Sequence, residues 1–213
     1  MTKNSLGKFP KTVLLDMDDV LFDFQTAAAR VCGFTRQEVE ARRTPGVWNI
    51  TKAMGVTNEE MWTLIRKEGM KFWNELAMFH WTVPLLNYVE DNFMEWYILT
   101  DPDADPRCYA GKVHCLQKTF GTFWDRVIPF RYKHVLSKKD FVLVDDKFDN
   151  LMNFEFDPLN EFKPRGGCGI LFPHNGNQLH RLADDPLPYV LEKLNAFGLQ
   201  KRARRIPELS EIV

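Results

Sequence analysis

A chain of 213 residues with 45% hydrophobic content can bury one good core and a small second module, which excludes a disordered or fibrous protein. Its 28 basic and 29 acidic residues are mixed along the sequence to a formal net charge of −1, so no overall field exists to hold a polyanion such as DNA. Cys32, Cys108, Cys115 and Cys168 lack CxxC spacing, which fits reduced thiols in a core and argues against a disulfide framework or a zinc site.

The N-terminal "MTKNSLGKFPK" has no apolar signal core, and no run of about 18 apolar residues occurs, so a cytoplasmic protein without a membrane partner is expected. The first predicted element is a short strand, Thr12 to Leu15, which stops abruptly at Asp16, Asp18 and Asp19 in "TVLLDMDDVLFDF". Helical character follows in "TRQEVEARR" and "TNEEMWTLIRKEGMKFWNEL", where Thr57 and Glu60 have the spacing of a capping box. This stretch is too long for a simple crossover and reads as a helical cap inserted after Phe24.

A second apolar strand, Trp96 to Leu99, ends in Thr100 and Asp101. Then "DPRCYAGKVHCLQKTFG" predicts a helix: Asp105 caps it, Pro106 suits its first turn, and Tyr109, Val113, Leu116 and Phe120 form a stripe before Gly121. "RVIPF" at 126–130 is a further strand, weakened by Pro129. Phe141 to Val144 runs into Asp145 and Asp146, and "CGILF" at 168–172 makes another strand. The C-terminal "YVLEKLNAFGLQKRARRIPELSEIV" opens as an amphipathic helix, and its basic run at 201–205 reads as a solvated face.

Near-continuous apolar strands separated by helices predict an α/β fold, a Rossmann-like parallel sheet flanked by helices. Residues 1–24 and 93–213 form the core and 25–92 the cap. In such sheets ligands bind beyond the carboxyl ends of the strands, so Asp16, Asp18, Thr100, Asp145 and Asp146 are expected in one cleft.

Acid pairs at two strand ends can hold Mg²⁺, a hard cation that prefers oxygen ligands and in turn holds phosphate oxygens. Asp16 could then act as nucleophile, and Asp18 as general acid to the leaving oxygen, with Thr100 bonding the phosphoryl group. A fixed cation is also needed for developing negative charge. Lys112 is the first candidate, with Lys138 and Lys139 as rivals. Trp48, Trp62, Phe72, Trp73, Phe79 and Trp81 offer flat surface for a nucleobase, although helical spacing makes most of them core residues. His174 in "FPHNGN" could approach the cleft rim, whereas His80, His114, His134 and His180 have no ligand spacing.

Taken in order, D-x-D-x-V at 16–20, the strand ending in Thr100, the helical Lys112 and the Asp145–Asp146 pair resemble the haloacid dehalogenase-like phosphatases. Within that superfamily "DMDDVLFDF", "ILTDP", "GKVHCLQKTFG" and "VLVDDKFDN" resemble the 5'(3')-deoxyribonucleotidases over roughly residues 10–180. The resemblance implies that Asp16 forms an aspartyl-phosphate and that Asp18 is the acid, then the base. It implies Mg²⁺ held by Asp16, the Asp18 backbone carbonyl and Asp146. Thr100 and Lys112 would bind the phosphoryl group, Asp145 would support Lys112 or the metal's waters, and Phe24 would stack on the substrate base.

The implied partner is a small-molecule nucleotide, with no stable nucleic-acid complex, and related phosphatases often form homodimers. Two residues depart from the pattern. Asp19 stands where the family usually has glycine, and Asp101 where the nucleotidases usually have a small hydroxyl residue, a carboxylate that would repel a phosphate unless turned away or metal-bound. The alternatives are the same chemistry on another phosphomonoester, such as a sugar phosphate or a nucleic-acid 3'-phosphate end, or a non-catalytic nucleotide- or protein-binding member. The last would be expected to have lost the nucleophile or acid, yet Asp16, Asp18, Lys112 and Asp146 are all present.

Overall fold

The computed structural model describes residues 7–121 and 123–200, so the basic run at 201–205 lies outside the described residues. Strand β1 (Phe9–Leu15) is followed by helices α1 (Phe24–Val31), α2 (Arg36–Arg42), α3 (Ile50–Met54), α4 (Asn58–Glu68), α5 (Met70–Asn74) and α6 (Thr82–Asn92). Strand β2 (Phe93–Thr100), helix α7 (Pro106–Phe120), β3 (Val127–Pro129) and β4 (Phe141–Asp145) come next. Helix α8 (Phe148–Glu155), a small hairpin of β5 (Phe156–Asp157) and β6 (Lys163–Pro164), β7 (Cys168–Leu171) and α9 (Leu187–Leu199) complete the described chain.

Five strands form one parallel sheet in the order β3-β2-β1-β4-β7. The expected α/β architecture is therefore present, and every apolar run proposed as a strand is in this sheet. β1 is longer than expected because Phe9, with 2% exposure, pairs beside Phe93 ahead of a register irregularity.

Both faces of the sheet are covered, which explains why its strands are apolar without alternation. Val13, Leu15, Trp96, Ile98, Val142, Val144 and Ile170 pack with Val190, Leu194 and Phe197 of α9. On the other face Leu14, Leu99 and Leu143 meet Leu151 and Phe154 of α8. Leu15 lies level with Ile98 on one side and Val144 on the other. The acid-tipped ends of β1, β2 and β4 consequently open on one edge of the sheet.

The helices between β1 and β2 begin where local chemistry dictates. Asp23 caps α1 by accepting from the Thr26 N–H at 2.9 Å, and Thr35–Glu38 and Thr57–Glu60 form reciprocal capping boxes on α2 and α4. Helix α5 lies directly on α7 at Gly111, where an added Cβ would come within 2.6 Å of the Trp73 Cβ and 2.7 Å of the Met70 carbonyl oxygen. Helix α6 contacts β2 and α9.

Candidate active site

The segment after β1 is a tight turn whose apolar members are wholly buried: Met17, Val20, Leu21 and Phe22 are each at 0% exposure. The N–H groups of Leu21 and Phe22 both donate to the Met17 carbonyl, and that of Asp19 donates to the Phe22 carbonyl. Asp19 sits at φ 58°, the left-handed region in which glycine is comfortable and aspartate is tolerated. Its carboxylate accepts from the Gln25 N–H at 3.0 Å, so this side chain braces the start of α1.

Asp16 and Asp18 project from this turn in different electrostatic settings. Asp16 Oδ1 accepts from its neighbour's backbone N–H at 2.8 Å and is 2.7 Å from Lys133 Nζ. Asp18 Oδ2 accepts from Lys112 Nζ at 2.6 Å, while Oδ1 is buried without a partner. Lys112, at 0% exposure, also donates to Thr100 Oγ1 at 2.7 Å and to the Asp101 carbonyl at 3.2 Å. Lys112 thus bonds to both Thr100 and Asp18.

Lys133 and Lys147 are the lysines that line the cleft; Lys133 lies on a short 3-10 turn after β3, where no sequence motif marks it. Its Nζ bridges Asp16 and Asp145, at 2.7 Å to each. Asp145 was expected to support Lys112 or the waters of a metal. Instead its carboxylate holds Lys133 and accepts from the Lys147 N–H and from Asn150 Nδ2 at 2.9 and 3.0 Å. Lys112 is engaged elsewhere: its N–H groups go to Asp18, Thr100 and the Asp101 carbonyl, which leaves none for Asp145. The rival Lys138 sits over the Phe141 ring at 5.3 Å, and neither it nor Lys139 lines the cleft.

Burial of these acids is the main influence on their proton affinity. Desolvation pushes the Asp16 carboxyl up to about 7; Lys133 opposes this, and Asp145 and Asp18 add to it. Asp19 and Asp146 are raised well above the ordinary range, again by burial first, with Asp23 and Asp18 adding to Asp19 and with Asp19, Asp145 and Asp16 adding to Asp146. For Lys133 burial works against the charge, but Asp145 and Asp16 outweigh it and raise its pKa.

Carboxylate oxygens of Asp16, Asp145 and Asp146 lie within 4.8 Å of one another, and Asp146 Oδ2 is buried with no partner. An all-oxygen set with an unpaired buried carboxylate oxygen fits a hard divalent cation. Asp145 already has protein partners on both oxygens, which leaves Asp16 and Asp146 as the carboxylates available to it. Asn177, not singled out from sequence, fixes the loop behind them by donating to the Asp146 and Phe172 carbonyls at 2.9 and 2.8 Å.

The cleft has a volume of about 470 Å³ and is walled by Phe24, Trp48, Met61 and Trp62 above Asp16, Asp18, Lys133 and Asp146. Phe72, Trp73 and Trp81 are core residues, and Phe79 stacks on Trp81 at 4.4 Å. Asp101 turns its carboxylate to Arg131 at 3.1 Å. His174 lies near Asp19 and Asp146, accepts the Gly176 N–H at 3.0 Å, and is lowered to about 3 by burial and then by Arg43 and Arg36.

No family model matches the chain, and no curated protein does. Solved structures do. A haloacid dehalogenase family hydrolase from Deinococcus radiodurans, with bound phosphate and sodium, is 14% identical at a TM-score of 0.53, covering 92% of this chain and 99% of that one. A haloacid dehalogenase-like hydrolase from Streptococcus pneumoniae gives 15% identity and 0.53 over 87% and 98% of the two chains. A predicted phosphatase from Clostridium acetobutylicum gives 11% and 0.54 over 89% and 100%. Among the described residues no helix is long and apolar enough to cross a membrane. The parallel sheet, the acid-bearing edge and these neighbours together establish that the chain has the fold of the haloacid dehalogenase-like hydrolases.

Proposed function

We propose that this protein is a Mg²⁺-dependent phosphomonoesterase that removes phosphate from nucleoside monophosphates, in the manner of a 5'(3')-deoxyribonucleotidase. The observation that carries the reading is the pairing of Asp16 and Asp18, on the floor of an aromatic-walled cleft, with two separate buried ammonium groups. That volume lies within the range of small-ligand pockets, and Phe24 and Trp62 supply a stacking surface for a base.

Asp16, the Asp18 backbone carbonyl and Asp146 would hold the cation, which neutralises charge between carboxylate and phosphate when bound. Lys133 and the Met17 N–H hold Asp16 Oδ1, which orients its second oxygen for attack on phosphorus. Lys112 anchors Asp18 by Oδ2 and leaves Oδ1 to carry the travelling proton, first to the leaving oxygen and then from the attacking water. Lys133 also presents positive charge to the oxygens of the transferring group.

The test is phosphate release from 5'- and 3'-, ribo- and deoxyribonucleoside monophosphates and a sugar phosphate, with Mg²⁺ and then with EDTA. Mg²⁺-dependent turnover that favours deoxynucleotides supports the whole reading. Turnover of the sugar phosphate alone keeps the chemistry and discards the nucleotide, and no turnover of any substrate overturns the enzyme.

A further inference from the structure

Lys112 keeps an ammonium in the interior, and its three N–H groups are taken by Asp18, Thr100 and the Asp101 carbonyl. A ring also faces it: Nζ lies 4.8 Å from the centroid of Trp73. Trp73 is 3% exposed and stands behind the cleft wall rather than in it. The same indole stacks on Phe24, with centroids 5.8 Å apart and planes at 22°, and on Trp62 at 6.3 Å and 26°. Phe24 and Trp62 both line the cleft. Phe72 locks the indole edge-on at 4.9 Å.

The backbone sets this arrangement. Gly111 lets α5 lie against α7 with no side chain between them, and Lys112 is the next residue along α7. The close approach that α5 makes at Gly111 therefore also delivers Trp73 of that helix to the ammonium.

We propose that Trp73 is a positioning residue, which holds the Lys112 ammonium toward Asp18 and joins it to the aromatic wall on which a flat substrate group would stack. An indole face stabilises a desolvated cation through its quadrupole and takes no N–H away from Asp18 or Thr100. A carboxylate in its place would compete with Asp18 for the same ammonium. The anchor of the proton-carrying acid and the stacking surface of the cleft thus belong to one rigid cluster. A ring that settles on Phe24 and Trp62 pushes on the stack that fixes Lys112. The kinetic half of this inference rests on the phosphatase reading; the contact itself does not.

The test uses the full chain with Trp73→Phe and Trp73→Leu. In protein labelled with ¹³C at the lysine ε-carbon, the Lys112 ε-methylene, assigned by its loss in Lys112→Arg, is expected upfield, through the ring current, of the lysines other than Lys11, Lys138 and Lys193, which lie over rings of their own. The shift should persist in Trp73→Phe and vanish in Trp73→Leu. An unshifted Lys112 in the wild-type protein overturns the proposal whether or not the protein is an enzyme. In phosphate release, Trp73→Leu is expected to lower kcat about tenfold with KM changed less than about twofold, and Trp73→Phe to recover most of the loss. Equal losses of kcat in both variants, tracking only their melting temperatures, would reduce Trp73 to packing and overturn the positioning role. If the wild-type protein hydrolyses no phosphomonoester, the proposed function fails while the NMR result still decides the contact. Should Trp73→Leu not fold, the wild-type and Trp73→Phe spectra decide it.

Discussion

Two buried lysines divide the chemistry of two aspartates: Lys133 is bonded to Asp16 and Lys112 to Asp18. Asp16→Asn keeps the shape of the side chain but removes the carboxylate proposed as nucleophile, and turnover is expected to fall by about 10⁴-fold or more with the fold retained. Phosphate release and far-ultraviolet circular dichroism check the two halves of that statement, and unchanged turnover would refute the assigned nucleophile. Lys133→Met should behave differently, because it leaves Asp16 and Asp145 buried without their shared cation. Removing one partner from such a set costs about 3–5 kcal/mol, so a clear drop in the urea midpoint at pH 8 is expected along with lost activity. Lys112 stood out in the sequence because it lies near the start of a strongly patterned helix, beside Tyr109 on the helical wheel. Lys133 did not, since it lies between a three-residue strand containing Pro129 and a run of further lysines.

Among the elements, α7 is where sequence-based and structure-based expectations part. Glycine in a helix interior ordinarily costs about 1 kcal/mol relative to alanine, so Gly111→Ala would be expected to stabilise an isolated α7. In the folded chain the new methyl would meet the Met70 carbonyl oxygen at 2.7 Å and the Trp73 Cβ at 2.6 Å. The sign reverses: a loss of about 1–3 kcal/mol is expected from forcing α5 away, read from the denaturant midpoint. Thr57→Ala makes a simpler case, because its hydroxyl accepts the Glu60 N–H at 3.1 Å in the capping box of α4. About 1 kcal/mol should be lost there. That box was legible from four residues, whereas the α5–α7 contact joins segments about 40 residues apart and leaves no local pattern.

The whole molecule carries its acids as a pH- and cation-dependent load. Asp16, pushed to about 7, and Asp19 and Asp146, raised well above the carboxylate range, hold protons in the folded chain that the unfolded chain has released. For acids raised in this way the contribution to stability is full below the unfolded value near 4 and is lost as pH rises through the folded value. His174, held near 3, opposes them with one proton between its folded and unfolded values. Three acids against one base leave a net fall in stability from pH 5 to pH 7 in cation-free protein. The melting temperature in EDTA should therefore be higher at pH 5 than at pH 8, and Mg²⁺ should raise it at pH 8 by about 5 °C or more when saturating. A melting temperature that rises with pH in EDTA and ignores Mg²⁺ would contradict the cation site.

By itself the sequence determined the parallel α/β class, the three acid-tipped strands, the caps of α4 and α7 and the positions of Asp16 and Asp18. Each of these is written locally, as an apolar run broken by charge or as a hydroxyl three residues before a glutamate. Only the tertiary structure decided which lysine serves which aspartate, what Asp145 holds, where Asp101 turns, and which of the aromatics between β1 and β2 line the cleft. Those relations depend on strand order and on the approach of α5 to α7. They join residues far apart in the chain, for which hydrophobic periodicity and motif spacing have no signal.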